Sequence, residues 1–277
     1  MIFKNKSGEV RLVWRTVLLV LPFLLFAYLL RYLPIRILTG VYINRGIVPS
    51  IAHSRAWSLF MEDPAWSSIP GILQGLLWYL LVFMMIKWVE KGSPSWKDFG
   101  LAAGRKVLWL SGLGLVFGLL MYFGYLGISI LLDQTQWTWF PEKQGVVPII
   151  LMLLNFLVNG FGEETAFRAY LQDRLINRHG LWPGIAVASV LFMVLHLLIY
   201  QITGIALAAN ILLAGLYGIL YVWTGSIFPV GIMHAVFNLA PRLLNLWPSD
   251  MSLLIVNAVS LMVVAILFLR YKEPSRT

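Results

Sequence analysis

The stretch that decides the fold runs from Leu154 to Arg174 and reads LNFLVNGFGEETAFRAYLQDR. It begins as a mostly apolar run of the kind that spans a membrane, and it contains no proline that would break a helix. Glu163, Glu164 and Arg168 follow within the same helical pattern. Because ionisable groups inside a membrane span are costly, they indicate a functional site by default.

The composition of the whole chain agrees with a membrane protein. Of its 277 residues, 60% are hydrophobic and 12% are charged, and the mean hydropathy is +0.81. These values exclude intrinsic disorder and nearly exclude a soluble enzyme, because one core could not hide so much apolar surface. The absence of cysteine excludes disulfides, thiolate metal sites and a cysteine nucleophile. The net charge of +9 fits loops held by anionic membrane lipid, and we expect no nucleic acid partner.

Hydropathy predicts an all-α bundle of about eight membrane-spanning helices in a single domain, 1–277. No linker or internal repeat divides the chain. The expected spans are 14–30, 71–88, 107–132, a fourth from near Pro148 past Arg168, 182–200, 203–223, 226–241 and 251–269. Between the first two spans, 31–70 is expected to lie outside the membrane with short interfacial helices. The GxxxG of Gly114 and Gly118 is expected to pack within the bundle.

The distribution of basic residues predicts the orientation. With the N-terminus inside, fourteen Lys and Arg lie on the cytoplasmic side, six lie on the outer side, and Arg168 lies within a span. This excess favours cytoplasmic positions for both termini.

Helical spacing separates the roles of the two glutamates. One face of the predicted helix carries Asn155, Asn159, Glu163 and Phe167, at intervals of four residues. Glu164 points about 100° away from this face and reaches Arg168 at i+4, which is the spacing of a carboxylate–guanidinium pair. We therefore expect Glu164 and Arg168 to form a buried structural pair, and Glu163 to be available as a general base.

Two histidines and an amide complete the candidate site. His196 lies in the fifth span, and His234 lies in the seventh with Asn238 one turn later. A glutamate with these groups can deprotonate a water molecule and stabilise an oxyanion, so hydrolysis is the expected chemistry. His196 and His234 could also hold zinc or another divalent metal, although the sequence contains no HExxH. A proton-coupled transporter that uses the same groups, or a catalytically idle scaffold or immunity protein, stays open as an alternative.

At these residues the chain resembles the CPBP family of intramembrane proteases, which includes type II CAAX prenyl endopeptidases and bacteriocin-processing and immunity proteins. The family pattern is EExxxR, then FxxxH, then HxxxN. It is met by Glu163-Glu164 with Arg168, by Phe192 with His196, and by His234 with Asn238. Together with WKDFGLAAGR at 96–105, the resemblance covers a core of 96–240.

The resemblance implies an intramembrane endopeptidase in which Glu163 activates water, with or without the help of a metal ion. His196, His234 and Asn238 would position the water or a metal and stabilise the oxyanion, with Glu164, Arg168 and Phe192 in support. The implied fold is an eight-helix bundle with a conical cavity, in the plasma membrane of a bacterium. The substrate would be a membrane-associated or lipidated peptide, with a prenylated CAAX tail, a bacteriocin leader and a signalling peptide all open.

Overall fold

A computed structural model describes residues 3, 8–101, 104–132, 136–137, 145–197 and 202–271. Its helices are α1 (Leu12–Asn44), α2 (Pro49–Trp57), α3 (Pro64–Met84), α4 (Val107–Leu131), α5 (Val146–Glu164), α6 (Asp173–His179), α7 (Leu181–Leu197), α8 (Gly204–Thr224), α9 (Phe228–Leu244) and α10 (Asp250–Tyr271). Shorter π-helical segments cover Ser58–Glu62, Met85–Val89 and Thr165–Gln172, and a 3-10 turn covers Gly104–Lys106. Two-residue strands β1 (Gln136–Trp137) and β2 (Leu246–Trp247) pair in antiparallel fashion.

The predicted all-α membrane bundle is confirmed. Within the described ranges, six helical runs are long and apolar enough to cross a membrane: Leu12–Asn44, Trp66–Val89, Gly104–Leu131, Val146–His179, Gly204–Thr224 and Asp250–Tyr271. Two shorter apolar helices, α7 and α9, coincide with the fifth and seventh predicted spans. Many large apolar side chains on these helices are exposed, Leu108 at 85% among them, and such a surface requires lipid.

The first predicted span is wrong at its C-terminal end. We expected the span to end near residue 30, whereas α1 continues to Asn44. Arg31 and Arg36 do not end the helix, because a charged side chain can remain helical while its head group reaches polar surroundings. The interfacial helices expected in 31–70 are therefore confined to α2 and the π-helical segment that follows it. Of the basic residues used for orientation, Lys4, Lys6, Lys143, Lys272 and Arg276 lie outside the described residues.

The described chain forms two compact units whose boundary falls inside α5. The first unit comprises Met1–Gly92 and Glu142–Gly162. In it, the rings of Phe23 and Trp78 stack at 3.8 Å between centroids. Gly75 allows the backbone of α5 at Asn159 to approach α3 closely, since a Cβ at Gly75 would lie 2.7 Å from Asn159 Cα.

The second unit, Ser93–Pro141 and Glu163–Thr277, contains all the predicted site residues. Its helices α4 and α9 pack closely at the predicted GxxxG. A Cβ at Gly114 would lie 2.8 Å from Pro229 Cα, and a Cβ at Gly118 would lie 3.3 Å from Met233 Cα. The GxxxG therefore positions α9, the helix that carries His234 and Asn238.

We expect Gly114→Ala to destabilise the protein by about 1–3 kcal/mol, the usual cost of overpacking, because the new methyl group meets backbone atoms of Pro229 that cannot rotate away. Thermal unfolding in detergent measures this effect. Gly112→Ala is the matched control on the same helix, because a Cβ there meets nothing within 4 Å. Equal unfolding temperatures for the two variants would contradict the packing argument.

Candidate functional site

Glu163 lies between two imidazole rings at the centre of the site. Glu163 Oε2 is 3.7 Å from His234 Nε2 and 3.9 Å from His196 Nε2. The side chains of Glu163 and His234 are 10% and 7% exposed, whereas that of His196 is 22% exposed. The structure thus brings together three of the four residues predicted to be catalytic. Both gaps exceed the length of a direct hydrogen bond.

The second nitrogen of each ring determines its orientation. His196 Nδ1 lies 2.8 Å from the carbonyl oxygen of Phe192, which can only accept a hydrogen bond. His196 Nδ1 therefore carries the proton, and a neutral ring then presents the Nε2 lone pair towards Glu163. His234 Nδ1 lies 2.9 Å from Glu164 Oε1. A carboxylate on Nδ1 accepts a hydrogen bond from that nitrogen and fixes the orientation of the ring.

Glu164 contacts both Arg168 and His234. Arg168 Nε donates to Glu164 Oε2 at 2.9 Å, and both side chains are 0% exposed. The i+4 spacing predicted this pair, but nothing in the spacing indicated the second contact to His234. The two glutamates therefore differ in surroundings: Glu164 is held by a cation and an imidazole, and Glu163 faces both imidazole Nε2 atoms.

Phe192 supports the site through its ring. The ring packs edge-on against Phe167 at 5.0 Å and against His234 at 6.1 Å, and it lies 4.4 Å from the His196 ring. The guanidinium carbon of Arg168 lies 5.3 Å from the same ring centroid. One aromatic side chain thus fixes the relative positions of both histidines and of the buried arginine.

Helical register explains why Glu163 and His196 meet. The second-unit end of α5, the π-helical segment Thr165–Gln172 and α6 form one continuous run to His179. After Gly180 the chain returns as α7, and Gly184 lets α7 pack closely on Ile176. Glu163 lies 16 residues before His179, and His196 lies 15 residues after Leu181. The two antiparallel helical runs therefore place both side chains at the same distance from the turn at Gly180.

The start of α9 brings His234 to this level. Gly100, at a φ of +70°, lies against both Ile227 and Ala169, and its carbonyl oxygen accepts a hydrogen bond from Ile227 N–H at 3.0 Å. The left-handed conformation and the close approach both require glycine. Helix α9 therefore begins beside Ala169, six residues beyond Glu163, and its seventh residue is His234.

Asn238 lies apart from the other three predicted residues. It follows His234 by one turn of α9, but within the described part of the chain its side-chain amide makes no hydrogen bond. The residue lines a cavity of about 330 Å³ together with Tyr122, Tyr125, Phe237 and Asn210, among others. Asn238 thus borders a space in which its amide could meet a bound molecule.

Tyr217 is a neighbour that sequence reasoning missed. Its ring lies 5.7 Å from the His234 ring, and within the described residues its buried hydroxyl has no hydrogen-bond partner. A tyrosine on an apolar helix is typical of ordinary packing, so its spacing carries no functional signal.

The donor chemistry of the site suits a metal, but the donors are not arranged as a metal site. One carboxylate oxygen and two imidazole Nε2 atoms are ordinary zinc ligands. Nevertheless, among the residues that the structure describes, no group of three or more His, Asp or Glu could hold a metal ion as placed. Metal binding at His196 and His234 would require the side chains to close on the ion.

Part of the chain matches a known protein family. Residues 145–240 match the model described as Rce1-like, type II CAAX prenyl endopeptidase Rce1-like. A comparison with curated proteins gives no match. The matched segment contains all four predicted catalytic residues, and it supports an intramembrane protease of the CAAX type. The predicted family resemblance is therefore confirmed over residues 145–240, which match the model of the Rce1-like type II CAAX prenyl endopeptidases.

Proposed function

We propose that the protein is an intramembrane endopeptidase in which Glu163 activates water for attack on a peptide carbonyl. The observation that carries this proposal is the position of Glu163 Oε2 between the Nε2 atoms of His234 and His196, at 3.7 and 3.9 Å. A buried carboxylate flanked by two imidazoles can bind one water molecule through all three groups. This arrangement suits general base catalysis.

The hydrogen bonds on the far side of each ring suggest separate roles for the histidines. His196, with Nδ1 donating to Phe192, accepts one hydrogen of the water at Nε2, while Glu163 removes the other proton. The resulting hydroxide adds to the substrate carbonyl carbon and forms a tetrahedral oxyanion. His234, held by the Glu164 carboxylate, donates from Nε2 to that oxyanion, and the Asn238 amide supplies a second donor.

Collapse of the intermediate completes the reaction. The bond from carbon to the amide nitrogen breaks, and the proton held on Glu163 passes to the departing amine. The products are a new carboxylate and a new amine, and Glu163 returns to its ionised form. No covalent enzyme intermediate is needed, in agreement with a chain that contains no cysteine.

A divalent metal such as zinc is a further part of the proposal. If one binds, His196 Nε2 and His234 Nε2 would hold it with Glu163. A metal held there would supply a Lewis acid that lowers the pKa of water and polarises a carbonyl. Glu164 and Phe192 would keep their roles in orienting the two rings, whereas the Nε2 atoms would serve as ligands in place of their hydrogen bonds to water and oxyanion.

The chemistry of the surroundings suggests the substrate class. The site lies within helices whose outer faces are apolar, so a peptide that reaches it must tolerate lipid. We propose a membrane-associated or lipidated peptide, with a prenylated C-terminal segment first among the candidates because of the family match. We also propose a bacterial plasma membrane and cytoplasmic termini, from the excess of basic residues on one side.

The purified protein in detergent, given a panel of prenylated and unmodified hydrophobic peptides, is expected to cut at least one at a single bond. Mass spectrometry of the products measures this, and the Glu163→Gln variant is the control. A parallel sample with chelator shows whether cleavage requires a metal. A metal-dependent enzyme loses activity and regains it when zinc is added back. Proton flux in liposomes that depends on Glu163, with no cleavage of any peptide, would replace the proposal by a transporter.

A further inference from the structure

Buried polar atoms without partners are concentrated around Glu164. Within the described residues of the second unit, such atoms include Arg168 Nη1 and Nη2, Gln172 Oε1 and the Tyr217 hydroxyl. Most buried polar groups in proteins are hydrogen-bonded, either to protein or to ordered water. Three residues with unmet polar atoms in one region therefore indicate a place where water is held inside the protein.

Close packing brings these residues together. Gln172 Nε2 donates to the carbonyl oxygen of Gly218 at 3.1 Å, which holds the π-helical segment against α8 beside Tyr217. A side chain at Gly218 would prevent this approach, because its Cβ would lie 2.6 Å from Gln172 Oε1. Tyr217 is also within electrostatic reach of Glu164 and Arg168.

The ring of Tyr217 also contacts the candidate site. The ring lies 5.7 Å from that of His234, and Phe192 packs edge-on against the same imidazole at 6.1 Å. His234 Nδ1 in turn bonds Glu164. Tyr217 thus contacts the imidazole with its ring, while its hydroxyl is within electrostatic reach of Glu164, the carboxylate that holds the same imidazole.

We propose that Tyr217 is a positioning residue whose hydroxyl binds an internal water molecule, and that this water holds the Glu164–His234 pair in its orientation. This water differs from the reacting water at Glu163. Tyr217 is fully buried and its ring lies against that of His234, so it acts through His234. The effect on catalysis rests on the proposed function, whereas the water itself does not.

Tyr217→Phe removes only the hydroxyl and keeps the ring against His234. We expect kcat to fall about 10- to 100-fold, as for other groups that orient a catalytic imidazole. KM should stay within about twofold, because the substrate does not touch Tyr217. Tyr221→Phe is the matched control one turn along α8, where the hydroxyl donates to Asp173 Oδ2 at 2.9 Å. Its kcat should equal that of the wild type.

A wild-type structure at a resolution that shows ordered water supplies the second measurement. Water bound to the Tyr217 hydroxyl, together with a changed His234–Glu164 contact in Tyr217→Phe, supports the inference. Density that shows no water there overturns it, and so does a Tyr217→Phe enzyme with wild-type kcat. If the wild type cuts no peptide, the proposed function fails separately, and the water and the His234–Glu164 contact still decide this inference.

Discussion

Glu163→Gln is expected to reduce peptide cleavage by about 10²–10⁴-fold, the usual contribution of a general base, while the protein stays folded. Glutamine has the size of glutamate but cannot take a proton from water at neutral pH. Because Glu163 Oε2 lies 3.7–3.9 Å from the two imidazoles, no ion pair at direct hydrogen-bond distance to them is lost. The loss should therefore appear in kcat, and the thermal unfolding curve should stay close to that of the wild type.

Glu90→Gln provides the matched control for this substitution. Glu90 makes a partly exposed ion pair with Arg15 at 2.9 Å, in the unit that does not contain the site. Because these side chains are only 17% and 16% exposed, the substitution is expected to cost some stability, but cleavage should change little, since the pair lies outside the unit that contains the site. A Glu163→Gln enzyme as active as Glu90→Gln would remove Glu163 from the mechanism, and the two-imidazole arrangement would need another explanation.

The spans and the Glu164–Arg168 pair could be predicted because both follow from local spacing. A run of about 20 apolar residues predicts a span without knowledge of its neighbours, and an i+4 interval predicts a pair on one helix. The end of α1 could not be predicted in this way. The apolar run predicts a span over 14–30, whereas the helix continues to Asn44.

Contacts between distant segments could not be predicted from the sequence, for a different reason. The His234–Glu164 hydrogen bond joins residues 70 positions apart, and it depends on where α9 begins beside Ala169. The π-helical segment after Glu164 has no sequence signature of its own, yet it turns Gln172 towards Gly218. Tyr217 reaches the site only through that packing. These features depend on how helices meet, and a periodic pattern describes one helix at a time.

Glu164→Gln is expected to destabilise the protein by about 3–5 kcal/mol, because it leaves the buried Arg168 guanidinium without its carboxylate. Both side chains are 0% exposed, so bulk solvent does not reach the guanidinium to compensate for the lost negative charge. Arg168 Nη1 and Nη2 already lack hydrogen-bond partners among the described residues, which makes the guanidinium more dependent on Glu164. Chemical or thermal unfolding in detergent measures the change. A Glu164→Gln protein as stable as the wild type would contradict the argument.

A double variant separates the stabilising role of Glu164 from its role in holding His234. Glu164→Leu combined with Arg168→Met removes both charges together, and such replacements of buried pairs are often neutral or stabilising. We therefore expect the double variant to be more stable than Glu164→Gln. Cleavage should nevertheless stay low, because His234 Nδ1 loses its carboxylate at 2.9 Å and the ring is no longer held for oxyanion binding. Stability restored together with wild-type cleavage would show that Glu164 serves only the fold, and His234 would then need to be oriented by its ring contacts with Phe192 and Tyr217 alone.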